Sequence, residues 1–288
     1  MNFFLPDFYF NYSLNITLIE LLKNHPEYFY DNIKIESLYG TFPGAIWNGG
    51  RTVLGITDQS NIQNTIQAIN DHDIAVRFTY TNCFINKKHL NDYYCNLITE
   101  IGHNGKNEIL VNSPILEEYL RNQYPYYKYI LSTTKEIRDL NIINKLTDKY
   151  DLIVLYYRDN KNFDFLNKIE QKHKIELLIN AYCDPSCTER TEHYKVLSKA
   201  QLEYGTINAD WGSCPKLKRS FQEALTLSSV YHLEDLHNIL IPMGFTNFKI
   251  EGRNIHPYNV IDSYIYYLIK PEYKDIVRDQ LVKSIWHY

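Results

Sequence analysis

Ile74-Ala-Val-Arg-Phe-Thr-Tyr80, followed by His89–Ile101 and then Glu108-Ile-Leu-Val111, is a short apolar run, a stretch with helical spacing and a second apolar run. Short runs rich in β-branched and aromatic residues read as strands, and apolar positions three and four apart read as helices. The unit recurs along the chain. The strand-like runs are Ile33–Tyr39, Ile74–Tyr80, Glu108–Val111, Tyr129–Ser132, Asp151–Tyr156, Ile175–Ile179, Leu225–Val230 and Asn247–Ile250. Between and after them lie helical segments at Asn61–Asn70, His89–Ile101, Ile115–Asn122, Leu140–Lys149, Phe163–Lys172, Glu189–Glu203, Leu233–Ile241 and Val260–Leu268. Eight strand–helix alternations predict an α/β fold in which a parallel sheet closes into a single (β/α)8 TIM-like barrel. The 288 residues suit it, since such barrels take ~250 residues.

Leu14–Leu22 reads as an N-terminal helix that closes the barrel bottom, and Tyr273–Trp286 as a final amphipathic helix. No Pro/Gly/Ser-rich linker or repeat interrupts the pattern, so residues 1–288 are expected to form one barrel domain. The longest irregular stretch, Gly205–Glu223, carries Cys214 and is expected as an insertion between strands six and seven. Long loops inside compact domains are more often functional than not.

With 44% hydrophobic and 22% charged residues and a formal charge of −4, the composition is that of an ordinary globular protein. It provides no broad basic surface for nucleic acid. No apolar run approaches the ~20 residues that cross a bilayer, and Met1-Asn-Phe-Phe-Leu-Pro6-Asp7 lacks a basic start and a long apolar core, so a cytoplasmic protein without membrane attachment is expected. The 26 tyrosines accompany abundant Asn, Ile and Lys, a pattern explained by coding bias.

Parallel barrels place their active sites at the carboxyl ends of their strands, and the distinctive residues of this chain fall there. The first strand leads into Gly40-Thr-Phe-Pro-Gly44-Ala-Ile-Trp47-Asn48-Gly49-Gly50-Arg51. Its glycines read as a structural turn, while Trp47, Asn48 and Arg51 are candidate substrate-binding residues. So are Asn82, Arg158, Asn180 and Arg190 at later strand ends and on the following helix. Glu251 and Arg253 either pair as a rim salt bridge or act on a substrate, and His193, three residues from Arg190, is a candidate proton donor.

Asn180-Ala-Tyr-Cys183-Asp-Pro-Ser-Cys187 and the later Cys214 bring soft thiolates toward the mouth, a donor set for an iron–sulfur cluster or zinc. Cys183, Cys187 and Cys214 are the candidate ligands, with Cys83 as a fourth; Cys95, within a helical segment, reads as a buried small hydrophobe. Zinc would call for a second close Cys or His pair, which Cys214 lacks.

Lys249-Ile-Glu-Gly-Arg253 after Asn247-Phe248, Leu233-Glu-Asp-Leu236 with Met243-Gly244, and the cysteine loop with Arg190 and His193-Tyr194 resemble the collagenase-like peptidase family, peptidase family U 32. That family also contains anaerobic ubiquinone- and RNA-hydroxylation proteins. The resemblance implies a barrel, a four-cysteine [4Fe–4S] cluster and oxygen-independent hydroxylation or a related redox step, here on a small anionic molecule or nucleotide. Glu251, His193 and Arg253 would then be catalytic. Cluster spacing and chain length depart from the usual family pattern. Two other functions fit the residues: a metal-dependent or acid–base hydrolase or lyase, including a peptidase, using Glu251, Asp184 and His193, and a non-catalytic subunit that works with a protein partner.

Overall fold

In the computed structural model, which describes residues 1–205, 214 and 216–286, eight parallel strands close into a barrel in the order β1 to β8. They are β1 (Asn2–Pro6), β2 (Lys34–Gly40), β3 (Ala75–Tyr80), β4 (Glu108–Val111), β5 (Lys128–Leu131), β6 (Leu152–Val154), β7 (Ile175–Leu178) and β8 (Asn247–Lys249). Around them run α1 (Tyr12–Asn24), α2 (Gln59–Asn70), α3 (Tyr93–Ile101), α4 (Pro114–Gln123), α5 (Leu140–Leu146), α6 (Phe163–Asn167), α7 (Arg190–Glu203), α8 (Phe221–Ala224), α9 (Leu233–Asp235), α10 (Pro257–Leu268) and α11 (Lys274–Ser284). Side chains satisfy the first amides of several helices: Asp58 accepts from Asn61 N at 2.9 Å, Asp92 from Cys95 N at 2.8 Å and Asp139 from Ile142 N at 3.0 Å.

The barrel is the expected one, with one change of membership. Its first strand is Asn2–Pro6, which closes the sheet against β8 through Asn2↔Asn247, Phe3↔Phe248 and Phe4↔Lys249. Pro6 ends the run, where its missing N–H costs the ladder nothing. Leu225–Val230 is not a strand. It turns after α8, and Tyr231 N alone reaches Ile179 O beyond β7, at 2.9 Å. One expectation shifts with it. The helix over Leu14–Leu22 follows the first strand and packs beside α11 in the outer ring instead of plugging the barrel bottom. The cysteine-bearing insertion follows Ile175–Ile179 as expected; with Asn2–Pro6 counted first that strand is β7, and the insertion runs on to β8. Residues 206–213 and 215 of the Gly205–Glu223 stretch fall outside the described residues.

Alternation along each strand separates two environments. Phe3, Leu5, Leu38, Val76, Phe78, Ile109, Val111, Leu177 and Phe248 belong to the large apolar core with the helices. The opposite faces turn into the barrel, where four charged groups meet. Arg77 Nε donates to Glu108 Oε2 and its Nη1 to Glu176 Oε2, each at 2.6 Å, while Lys249 Nζ stands 3.2 Å from Glu176 Oε1. The Arg77 guanidinium lies 4.3 Å from the centroid of the Phe4 ring. Leu110, Ile130 and Val154 form a small separate apolar cluster on the β4–β6 side.

The interior network sets a stability prediction. Arg77→Met leaves two carboxylates in the barrel without their shared cation and is expected to cost about 3–5 kcal/mol. Urea unfolding of the variant is the check, and a loss below about 1 kcal/mol would show that water reaches the network.

Candidate active site at the barrel mouth

Above the ion network, at the carboxyl ends of the strands, a small cavity of about 60 Å³ opens toward solvent. That is room for several waters or one small polar group. Tyr39, Arg51, Thr79, Thr81, Arg190, Tyr194, Lys249, Glu251 and Arg253 line it together with Leu110, Ser132, Thr133, Thr134, Val154 and Leu178.

The β2–α2 loop supplies Arg51. Gly49 is required there because a Cβ would stand 2.4 Å from the Thr81 carbonyl carbon, so the loop backbone lies directly on the end of β3. Arg51 Nη2 donates to Glu251 Oε1 at 2.8 Å and its Nε to Arg253 O at 3.1 Å. Glu251 is therefore paired with Arg51 and not with Arg253. Its second oxygen accepts from Tyr182 N at 3.0 Å. Arg253 Nη1 donates to Asn48 Oδ1 at 3.0 Å and Thr79 Oγ1 at 2.8 Å, and Nη2 to Gly49 O at 3.1 Å. Arg190, the first residue of α7, is buried, lies 4.3 Å from the Tyr157 ring centroid and donates from Nη2 to Tyr194 Oη at 2.6 Å.

Lys249 enters from β8. Its Nζ lies 3.8 Å from the Tyr39 ring centroid and 3.2 Å from Glu176 Oε1, its ion-pair partner. Burial pushes its ammonium down to about 8; Arg77 and Arg253 act in the same direction and Glu176 opposes them.

The expected site residues divide accordingly. Arg51, Arg190, Glu251 and Arg253 line the cavity. Asn48 and Asn180 position them. Asn180 receives Glu251 N at 2.6 Å and returns a bond to Glu251 O at 3.1 Å, extending the β7–β8 pairing past the strand ends, and Asn48 holds Arg253. Trp47, expected to bind substrate, is instead a core residue, fully buried with Nε1 donating to His89 O at 2.8 Å. Asn82 is also structural, its amide tied to Ile46 O and Ser198 O at 3.1 and 2.8 Å. Arg158 lies outside the cavity, bonded to Cys187 O. Asp184 is spent on a turn, accepting from Ser186 N at 2.8 Å. The sequence reading missed Lys249, Tyr39 and the Thr/Ser hydroxyls. A lysine inside the buried triplet Asn247-Phe-Lys249 was the available signal.

Cys183 sits where the loop after β7 pairs with Leu217, and Asp184 O accepts from Cys187 N at 3.0 Å. Leu217 N in turn reaches Cys214 O at 3.2 Å. Burial raises the Cys183 thiol, against the lowering influence of Arg190 and Tyr157 beside it. Cys83 is exposed and meets Ser198 through its backbone, eight residues beyond Arg190 along α7 and so roughly 12 Å farther down its axis. Among the described residues, no three His, Cys, Asp or Glu side chains converge as a metal centre requires. The four thiols as placed do not form a cluster cradle. Cys95 is buried, as expected.

His193, one turn along α7 from Arg190, is lowered to about 4 by burial and by the Arg51 and Arg190 charges. The unfolded chain takes up this proton near the ordinary 6.5 and the folded chain only near 4, so stability is full above 6.5 and falls as pH drops through that window. His193→Gln is expected to flatten the decline in urea midpoint between pH 7.5 and pH 5. An unchanged decline in the variant would remove His193 as its source.

No protein-family model matches this sequence, and no curated protein is significantly similar to it. Among solved structures, that of the U32 peptidase Mk0906 superposes with a TM-score of 0.52 over 87% of this chain and 92% of that one, at 13% identity. At that identity the likeness is one of fold. No helix among the described residues is long and apolar enough to cross a membrane.

Proposed function

We propose that the barrel mouth binds a small anionic molecule and moves protons on it, in a hydrolase- or lyase-type reaction. The observation that carries this reading is the charge of the cavity wall. Arg51, Arg190, Lys249 and Arg253 face it, against Glu251 as its carboxylate. Guanidinium groups recognise carboxylate and phosphate through paired, directed donors. Arg51 and Arg253 are already fixed by neighbours, so they present charge without reorganising; Arg190 stands over Tyr157 and Tyr194 at the rim. Glu251, held by Arg51 and Tyr182 N, is the carboxylate placed to exchange a proton with a bound molecule.

A redox reading has one observation in its favour, the pairing of the Cys183–Cys187 loop with the segment that carries Cys214. It would require those thiols to rearrange and Cys83 to be replaced as a ligand. About four irons and matching sulfide in anaerobically purified protein, lost in Cys183→Ser, would favour it over acid–base chemistry.

The test of the leading reading is thermal unfolding with inorganic phosphate, phosphate monoesters and small mono- and dicarboxylates. A ligand at a hundredfold its Kd stabilises by ~2.7 kcal/mol, so a rise in Tm is expected with at least one class. Arg190→Gln should weaken that ligand roughly tenfold to a hundredfold, the range for a hydrogen bond to a charged group, with its own Tm measured without ligand as the control. If no anion raises the Tm of the unaltered protein, the reading fails.

A further inference from the structure

Resting on the anion-binding reading of the mouth, we propose that Lys249 is a nucleophile that forms an imine with the carbonyl group of a small anionic oxo compound, its charged group held by Arg190 and Arg253.

The need for a neutral interior explains a cation at this position. Arg77 and Lys249 together balance Glu108 and Glu176. It does not explain the placement of the amine. A purely structural ammonium, which carries three donors, is normally saturated with hydrogen bonds when buried. Here Nζ is buried with one carboxylate oxygen within reach, Glu176 Oε1 at 3.2 Å, and Lys249 belongs to the lining of the cavity. It lies at the carboxyl end of β8, where barrels put reacting groups. Burial and the neighbouring Arg77 and Arg253 guanidinium groups favour the free amine that nucleophilic attack needs, against Glu176 and the Tyr39 ring face, which favour the ammonium.

The step balances without an added oxidant or reductant. The Lys249 nitrogen bonds to the carbonyl carbon and the C–O π pair moves to oxygen, which takes a proton. Loss of that oxygen as water, with both amine hydrogens accounted for in it, leaves the C=N bond. Glu176, 3.2 Å from the amine, is placed to relay a proton from nitrogen. The Ser132 and Thr134 hydroxyls, which share one hydrogen bond at 2.9 Å and line the cavity, are the donors for the oxygen that leaves, since those of Thr79 and Thr133 are committed to Gly40 O and Leu155 O. An imine so formed draws electrons from the adjacent carbon, which is what a lyase or an α-proton abstraction requires, with Glu251 nearby as the base.

The experiment treats the protein with pyruvate, glyoxylate or glyceraldehyde 3-phosphate, adds sodium borohydride, which reduces an imine to a stable secondary amine, and maps the adduct by peptide mass spectrometry. Calorimetry of the same probes without borohydride measures binding separately. One adduct per chain on Lys249 with at least one probe, trapped faster as pH rises through about 8, is the expected result. Lys249→Arg, which keeps the charge, should lose that adduct; if it does not fold, the mapped site in the unaltered protein decides alone. A probe that binds without labelling Lys249, or labels only exposed lysines, overturns the imine and leaves anion binding standing. Failure of every probe to bind overturns the imine, while anion binding stands or falls on the phosphate and carboxylate series.

Discussion

The interior of this barrel depends on a single arginine. Arg77 projects inward from β3 and ties Glu108 of β4 to Glu176 of β7, nearly opposite around the ring, while lying over Phe4 from β1. Each of these ions is costly to remove from water, and they are tolerable together because their charges cancel at short distance. Glu176 also faces Lys249 on β8. Strands that share no backbone bonds are thereby held in fixed relation, and the position of every group above them is inherited from that plane.

The mouth shows the same economy in hydrogen bonds. Past the ends of β7 and β8, Asn180 substitutes its side-chain amide for the missing strand ladder, gripping both the N–H and the C=O of Glu251. On the other side Thr79 and Asn48 share the Arg253 guanidinium, and Thr79 also donates to Gly40 O at 2.9 Å. Asn48 and Asn180 lie outside the cavity lining, yet with Thr79 they remove the freedom that the charged groups would otherwise lose on binding a ligand.

Much of this was legible in the sequence. The periodic apolar runs give the barrel because strands buried on both sides and amphipathic helices leave unmistakable spacing. The exchange of Asn2–Pro6 for Leu225–Val230 came from composition that misleads. Pro6 discounts a real strand whose last residue needs no donor, and Leu225–Val230 has strand-like residues but only the Tyr231 amide, just past its end, bonded to the sheet side of β7. Strand ends and the start of α7 led to Arg51, Arg190, Glu251 and Arg253, which the fold brings together around the cavity. Trp47 and Asn82 fall at the same strand ends and are consumed by packing and backbone ties, a distinction that sequence position does not carry. Cys83 has a thiol's chemistry but not the other cysteines' location. Lys249 was hidden because a charge inside an apolar strand gains meaning only when its partners across the barrel are known.

The two walls of the cavity differ in kind. Toward β8 and the β2–α2 loop they carry Lys249, Arg253 and Arg51; toward β4–β7 they consist of Leu110, Val154 and Leu178 topped by the hydroxyls after β5, with the Arg190 guanidinium entering over Tyr157. A molecule with one charged end and one apolar end would lie between them in one direction. Two such contacts set which end points where and no more; telling such a molecule from its mirror image takes a third contact off that axis.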